Sequence, residues 1–581
     1  MNLAAVCHTP MSQDAYGVDE EHIFIRLRAG RDDLVSCTLF YGDRASRQNP
    51  VPMTPVPMRR AARDEWFDYY EVLFQCPYVR VCYSFYLDDG KEQCYYHADF
   101  PSQALPEDRS EYYQLPFNHR ADRIHVPEWA KDAVVYHIFP DSFASGRRFL
   151  SGQAVKTEFN GFPCKSKLGG TLHGIRANVD YLCDLGINCI YMNPIFAAGE
   201  YHKYDTLDYF HVDPCLGTDA EFRALVKECH EKGIRVIIDG VFNHAGWHFF
   251  AFEDVVKNGE ASPYKDWFYE ITFPVKVPAV WEEIPSYACF GYERHMPKLN
   301  TENPEVIRYF CNVCQHWLME YNMDGWRLDV ADEVNVGFWR AFKSAARAAK
   351  PDSLLIGEIW ESAQHWLDGS QFDSTMNYDF RKHCAGFFRK GTLDAAAFDF
   401  RVTHMRMRYC LPMLYSQLNL LDSHDVSRFL SLCEDEKAYR LAVLFQMTFP
   451  GMPSVFYGDE KGLSGVKEAE YRQAMDWSDK PSALRDFYRQ AIRLRHQELA
   501  LRRGAFETVM ADKGSGLYVY KRSLPEESIT IALNNQHRRA AYAIKNSEQV
   551  LWQEGYRDGC LAEYGFVMIK GAGDKEAVAW R

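Results

Sequence analysis

The sequence predicts an α/β protein centred on a parallel (β/α)₈ barrel of TIM type, with a subdomain inserted after the third strand, an N-terminal β-sandwich and a C-terminal β-domain. Three observations predict it. Between about 131 and 500, short apolar runs alternate with longer segments whose apolar residues recur at helical spacing. Carboxylates and amides stand at the ends of those runs, the face on which such a barrel carries its site. Before about 115 and after about 502, the pattern turns to short alternating strands broken by Gly, Asp and Pro.

At the N-terminus, 22–28, 34–41 and 79–87 read as strands of a sandwich. No catalytic-type cluster falls there, so binding or oligomerisation is the expected role of residues 1–120. Pro106, Pro116 and Pro127 mark a linker into the barrel domain, 121–502. Its eight runs are 134–139, 189–192, 236–239, 325–330, 354–358, 372–376, 416–419 and 454–457. Segments such as 219–232 and 305–321 carry the helical period between them. The interval 249–297 is long, aromatic-rich and poor in barrel-type helix. It is expected to be the inserted subdomain, about 245–300, forming one wall of a cleft. Residues 503–581, with strands at 516–521 and 529–533, are expected to form a second sandwich.

Bulk properties narrow the partners. The 581 residues are too many for one core, and a net charge of −14 argues against a nucleic-acid surface. Aromatic residues make up 15%, enough for sugar-stacking surfaces, although large cores also consume them. The 17 cysteines are scattered, and the Cys311–Cys314 pair, on a helix without a second pair in register, reads as packing. The N-terminus has no basic segment followed by an apolar run, and no stretch is long enough to span a bilayer. A cytoplasmic protein with reduced thiols, no nucleic-acid partner and no membrane partner is expected.

The run at 325–330 carries Arg327 and Asp329, which share a face because side chains alternate along a strand. A guanidinium there would keep Asp329 ionised and aimed, yet a purely structural pair would look the same. Glu358 and Asp425 stand at the ends of two other runs. Three carboxylates converging over one barrel mouth suit a retaining glycosidase, in which one attacks and another protonates the leaving oxygen. Asp329 suits the nucleophile. Glu358, framed by Ile356, Ile359 and Trp360, should have its charge disfavoured by burial, as an acid needs. His244 and His424 lack the short spacings of a metal site, so they are assigned to sugar hydroxyls and no metal ligand is assigned. Tyr204 and Trp360 are candidate stacking platforms.

These residues resemble the α-amylase family of glycoside hydrolases, whose four segments recur in order at 239–244, 325–333, 357–360 and 422–425. The stretches 296–300, 202–206 and 330–333 resemble the cyclomaltodextrinase, maltogenic amylase and neopullulanase subgroup. The resemblance implies Asp329 as nucleophile, Glu358 as acid/base and Asp425 as transition-state stabiliser. It implies that His202, Tyr204, Asn243, His244, Arg327, His424 and Arg472 bind the sugar, and that Glu333 influences the acceptor. It implies hydrolysis of α-1,4 bonds in cyclodextrins and malto-oligosaccharides, pullulan as a slower substrate, some transglycosylation, and a homodimer built through the N-terminal sandwich. The relatives that act on α-1,6 bonds or trehalose, and a catalytically inactive sugar-binding homologue, are the alternatives. Asp332 and Glu361 replace the subgroup's usual Asn and His, and the 465–474 loop diverges. Many relatives bind calcium after the first strand. Here Ser145, Arg147, Arg148 and Thr171 occupy that region, and no calcium is expected, because two arginines oppose a site needing anionic oxygens.

Overall fold

A computed structural model describes residues 1–146, 150, 154–276, 279, 283–389, 392–433, 435–478, 480–545 and 548–575. The chain divides into two compact units. One comprises Val126–Arg381 and Ser416–Gln497; the other comprises Met1–His125, Lys382–Tyr415 and Glu498–Arg581.

The first unit contains the barrel. Its strands are β1 (Val135–Ile138), β2 (Cys189–Met192), β3 (Arg235–Gly240), β4 (Gly325–Leu328), β5 (Leu354–Gly357), β6 (Ser374–Thr375), β7 (Leu418–Leu420) and β8 (Met452–Phe456). Each overlaps one of the eight predicted runs. The order β6-β5-β4-β3-β2-β1-β8-β7 is parallel throughout, and a parallel bridge from Met376 to Leu418 closes the ring. These strands read as unbroken apolar runs because both faces are covered: every residue of β1, β2, β4 and β5 is buried. Gly325 permits the close pairing of β4 with β5, since a Cβ there would lie 2.3 Å from the Leu354 carbonyl oxygen. Val135, Tyr191, Ile237, Ile356 and Leu418 fill the interior, with Ala130 and Ala133 packed among them.

The connecting helices start where their sequences dictate. Helix α1 (Asp219–Glu231) opens with a Thr218–Glu221 capping box, and α2 (Pro304–Glu320) has Asn303 as N-cap and proline in its first turn. After β3 the chain makes a short helix (Phe250–Asn258) and a hairpin (Cys289–Phe290 with Glu293–Pro297). Two further hairpins were not separated out by sequence: Val155–Phe159 with Phe162–Ser166, and Phe196–Ala198 with Thr206–Val212.

In the second unit, residues 1–125 form a sandwich of a four-stranded and a five-stranded antiparallel sheet. Ile23, Ile25 and Leu27 of one sheet share a core with Leu39, Tyr83 and Phe85 of the other. The C-terminal residues differ from the predicted second sandwich. They form one six-stranded antiparallel sheet, because the 13-residue strand Cys560–Ala572 pairs with Glu527–Asn534 on one edge and Gln549–Arg557 on the other. Residues 382–415, read from sequence as part of a continuous barrel domain, pack with the terminal segments. The helix Ala395–Met407 is buried nearly all round, so it needs partners on several sides. Phe398 meets Tyr518 edge-on at 5.3 Å, and Asp399 Oδ1 accepts from the Thr508 and Tyr518 hydroxyls at 2.5 and 2.9 Å. Among the described residues, no helix is long and apolar enough to cross a membrane.

Candidate active site

The site is built around Arg327 on β4. Its guanidinium is fully buried, and Nη1 donates to both oxygens of Asp239, each at 2.9 Å, and to Asp329 Oδ1 at 2.8 Å. Nη2 lies 2.5 Å from Glu358 Oε1, an ion-pair contact outside hydrogen-bond alignment. One cation therefore spans carboxylates from the ends of β3, β4 and β5. The extended run predicted to reach Val330 ends at Leu328. Val330 adopts φ 44°, ψ 50°, and a 3-10 turn (Ala331–Glu333) follows. A β-branched residue in the left-handed region costs on the order of 1–3 kcal/mol. That turn aims the Val330 N–H at Glu358 Oε2, 3.0 Å away.

Burial pushes the Asp329 carboxyl well above its ordinary range, and the neighbouring Glu358 pushes it further, against the pull of Arg327. Burial also raises Glu358, again against Arg327. Arg327 favours the Asp329 carboxylate, as the sequence suggests, while burial and Glu358 oppose it. The same cation serves Asp239 and Glu358, and one positive charge cannot neutralise three. Asp329 and Glu358 lie close enough that the charge of one disfavours the charge of the other. Asp425 behaves oppositely. Burial works against its charge, but His424, 2.9 Å away, outweighs burial together with Arg327 and Arg472, and its carboxyl lies below the ordinary range.

A cleft of about 620 Å³ opens above these groups. Asp329, Glu358 and Asp425 line it, as do His202, Tyr204, His244, Glu333, Trp360, His424 and Arg472. Asn243 and Arg327 are outside that lining and buried: the Asn243 Oδ1 accepts from Lys298 Nζ. The Tyr204 hydroxyl is fixed by Asp239 Oδ2 (2.9 Å), His424 Nε2 (2.6 Å) and Asn193 Nδ2 (2.9 Å). Trp360 is 45% exposed with its ring stacked on Tyr378 at 4.0 Å, which leaves an indole surface available to a sugar face. Burial lowers His244 to about 3 and His202 to about 4, so both are neutral at pH 7. His244 Nε2 is buried with no partner among the described residues, a vacancy that a sugar hydroxyl fits.

Arg472 is a three-way fork. Nε donates to the His424 carbonyl (2.7 Å), Nη2 to Asp425 Oδ1 (3.2 Å) and Nη1 to Glu468 Oε1 (2.7 Å). Sequence reasoning missed Glu468, although its i, i+4 spacing from Arg472 was a usable signal. Phe290 and Met296 also line the cleft, from the segment that the sequence marks as its wall. Two strand-end carboxylates serve the fold instead. Asp141 accepts from the backbone N–H groups of Lys167, Leu168 and Gly169, and Asp459 pairs with Arg428 at 2.8 Å. At the position considered for calcium, the Thr171 hydroxyl donates to the Ser145 carbonyl at 3.3 Å and caps the following helix. Arg147 and Arg148 lie outside the described residues.

Two carboxyls held by a single guanidinium can act as a retaining pair, one ionised to attack an anomeric carbon and the other protonated to donate to the departing oxygen. On a (β/α)₈ barrel with an aromatic-edged groove, that chemistry makes the protein a glycoside hydrolase. Comparison gives the family. Residues 137–500 match the α-amylase catalytic domain, and residues 1–119 match the α-amylase N-terminal Ig-like domain. The chain is 39% identical to a cyclomaltodextrinase of Geobacillus thermopakistaniensis, covering 98% of this chain and 99% of that one. It is 40% identical to neopullulanase 2 of Thermoactinomyces vulgaris, covering 94% of each. A solved cyclomaltodextrinase structure superposes with a TM-score of 0.89 at 37% identity over the whole of both chains. The chain belongs to the α-amylase family.

Proposed function

We propose that the protein hydrolyses α-1,4-glucosidic bonds of cyclodextrins and malto-oligosaccharides with retention, attacks pullulan or starch more slowly, and carries out some transglycosylation. The observation that carries this reading is the buried Arg327 gripping both Asp329 and Glu358 at the cleft floor. Asp329 is the nucleophile, Glu358 the acid/base and Asp425 the carboxylate that steadies the developing positive charge. Tyr204, His244 and His424 hold the attacked glucose, with Asn243 and Arg327 beneath them. His202 and Arg472 bind toward the donor side, and Glu333 and Trp360 toward the acceptor. The cyclomaltodextrinase and neopullulanase likenesses support the substrate class.

The protein is further proposed to be a homodimer. It is also proposed to reside in the cytoplasm, a reading supported by its 38% identity to an intracellular maltogenic amylase of Bacillus subtilis. Residues 1–120, 121–502 and 503–581 are proposed as its functional domains; the spans of the two family matches support the first two, and the six-stranded C-terminal sheet supports the third. Product analysis on γ-cyclodextrin, maltotriose, panose, pullulan and isomaltose tests the linkage. Glucose and maltose from the α-1,4 substrates are expected, and a preference for isomaltose over all of them would overturn the reading.

A further inference from the structure

Lys298, just past the hairpin of the inserted segment, joins three parts of the site through one ammonium group. Its Nζ donates to Asn243 Oδ1 in the loop after β3, and to the Glu333 carbonyl (3.2 Å) and Glu333 Oε2 (3.0 Å) in the turn after β4. Three oxygens account for the three N–H donors of an ammonium. The backbone around it is pinned to the same loop: Leu299 N–H donates to the Asn243 carbonyl (3.0 Å), and Ala245 N–H to the Pro297 carbonyl (3.1 Å). The Lys298 side chain is 19% exposed, whereas the Glu333 side chain is 50% exposed at the edge of the cleft. Among the described residues, Lys298 is the only group that the Glu333 carboxylate bonds.

The position matters for each neighbour. Glu333 closes the 3-10 turn that begins at the strained Val330, four residues from Asp329. Asn243 Nδ2 faces His244 Nδ1 at 3.3 Å, and the Lys298 charge adds to burial in keeping His244 neutral. A cation at this point therefore bears on the carboxylate at the acceptor edge and on the imidazole beside the reacting sugar.

We propose that Lys298 is a positioning residue for the acceptor side, fixing the Glu333 carboxylate so that an incoming sugar competes effectively with water for the glycosyl group. The proposal rests on the α-glucan reading above and adds to it the residue that sets the balance of transfer against hydrolysis. Its test uses the full-length protein and the variants Lys298→Met, Lys298→Arg, Glu333→Gln and the Lys298→Met/Glu333→Gln double variant. Each is given maltotriose with glucose as acceptor, and transfer and hydrolysis products are counted separately.

Lys298→Met is expected to lower the transfer-to-hydrolysis ratio about fivefold, the size of one net hydrogen bond at a half-exposed carboxylate. Lys298→Arg should restore most of it, and Lys298→Met should change the ratio little further once Glu333 is Gln. If an active wild type and Lys298→Met give the same ratio, or if the two changes act independently, the proposal fails. A Lys298→Met that merely unfolds would lose both products together. In that case Lys298→Gln takes its place: a fall in its ratio that Lys298→Arg does not show would uphold the proposal, and an unaltered ratio in Lys298→Gln would overturn it. A wild type inactive on every α-1,4 substrate would instead overturn the function on which it rests.

Discussion

Replacing Arg327 with methionine removes the one cation among Asp239, Asp329 and Glu358 while leaving a side chain of similar reach. Deleting one partner of a buried ion pair costs about 3–5 kcal/mol. Here three carboxylates lose the same guanidinium, at distances of 2.9, 2.8 and 2.5 Å, so the loss should approach the upper end. The carboxyls can escape part of it by binding protons. Asp329 and Glu358 already lie above their ordinary range in the native protein, mainly through burial, and losing Arg327 drives them higher.

A carboxyl whose folded pKa exceeds its unfolded value keeps its proton on folding, so the folded state binds more protons and stability falls as pH rises through that window. The stability is recovered below the unfolded value, about 4 for these side chains. Urea unfolding should therefore find Arg327→Met less stable than wild type by about 3–5 kcal/mol near pH 7, with the deficit shrinking by about pH 5. A deficit below about 1 kcal/mol near pH 7, or one that is the same at both pH values, would refute the three-carboxylate account.

Asp329→Asn and Glu358→Gln should each lower kcat by about a thousandfold or more while circular dichroism stays native, and near-normal turnover in either would remove that residue from catalysis. Arg472→Lys keeps the charge but cannot reach the His424 carbonyl, Asp425 and Glu468 together, so KM for maltotriose should rise about tenfold. The alkaline limb of kcat/KM should come from the proton held by the Asp329–Glu358 pair. Because His202 is neutral above about pH 4, His202→Gln should leave that limb in place. Val330→Gly removes a left-handed strain of about 1–2 kcal/mol, so thermal melting should show no loss of stability, while kcat falls because the N–H facing Glu358 is held less firmly.

Most of the barrel strands were legible because burial on both faces writes them as short, mainly apolar runs with charged residues at their ends; Ser374–Thr375 was legible only with its flanking Phe372 and Met376. Arg327, Asp329 and Glu358 were legible for the same reason: strand alternation fixes which side chains meet. What escaped depends on contacts that no period encodes. Lys298 reaches Glu333 across 35 residues of sequence, and Phe290 and Met296 enter the cleft from an irregular hairpin. The turn at Val330 runs against propensity, since valine favours extended backbone, and its N–H is held by Glu358 from the next strand's end. That Arg327 also grips Asp239 and Glu358 was not legible, because no strand period says which carboxylates one guanidinium spans.

The excursion of residues 382–415 makes the two compact units interlaced along the chain, which crosses between them four times. Phe398 and Asp399, covalently part of the β6–β7 connection, find their partners in Tyr518 and Thr508 of the C-terminal sheet. Cutting away the terminal segments would thus strip packing from a stretch that the ring of strands must still contain. Removing the C-terminal sheet would leave Phe398 and Asp399 without these partners. Its loss or gain would have to be matched by rebuilding the span between the sixth and seventh strands.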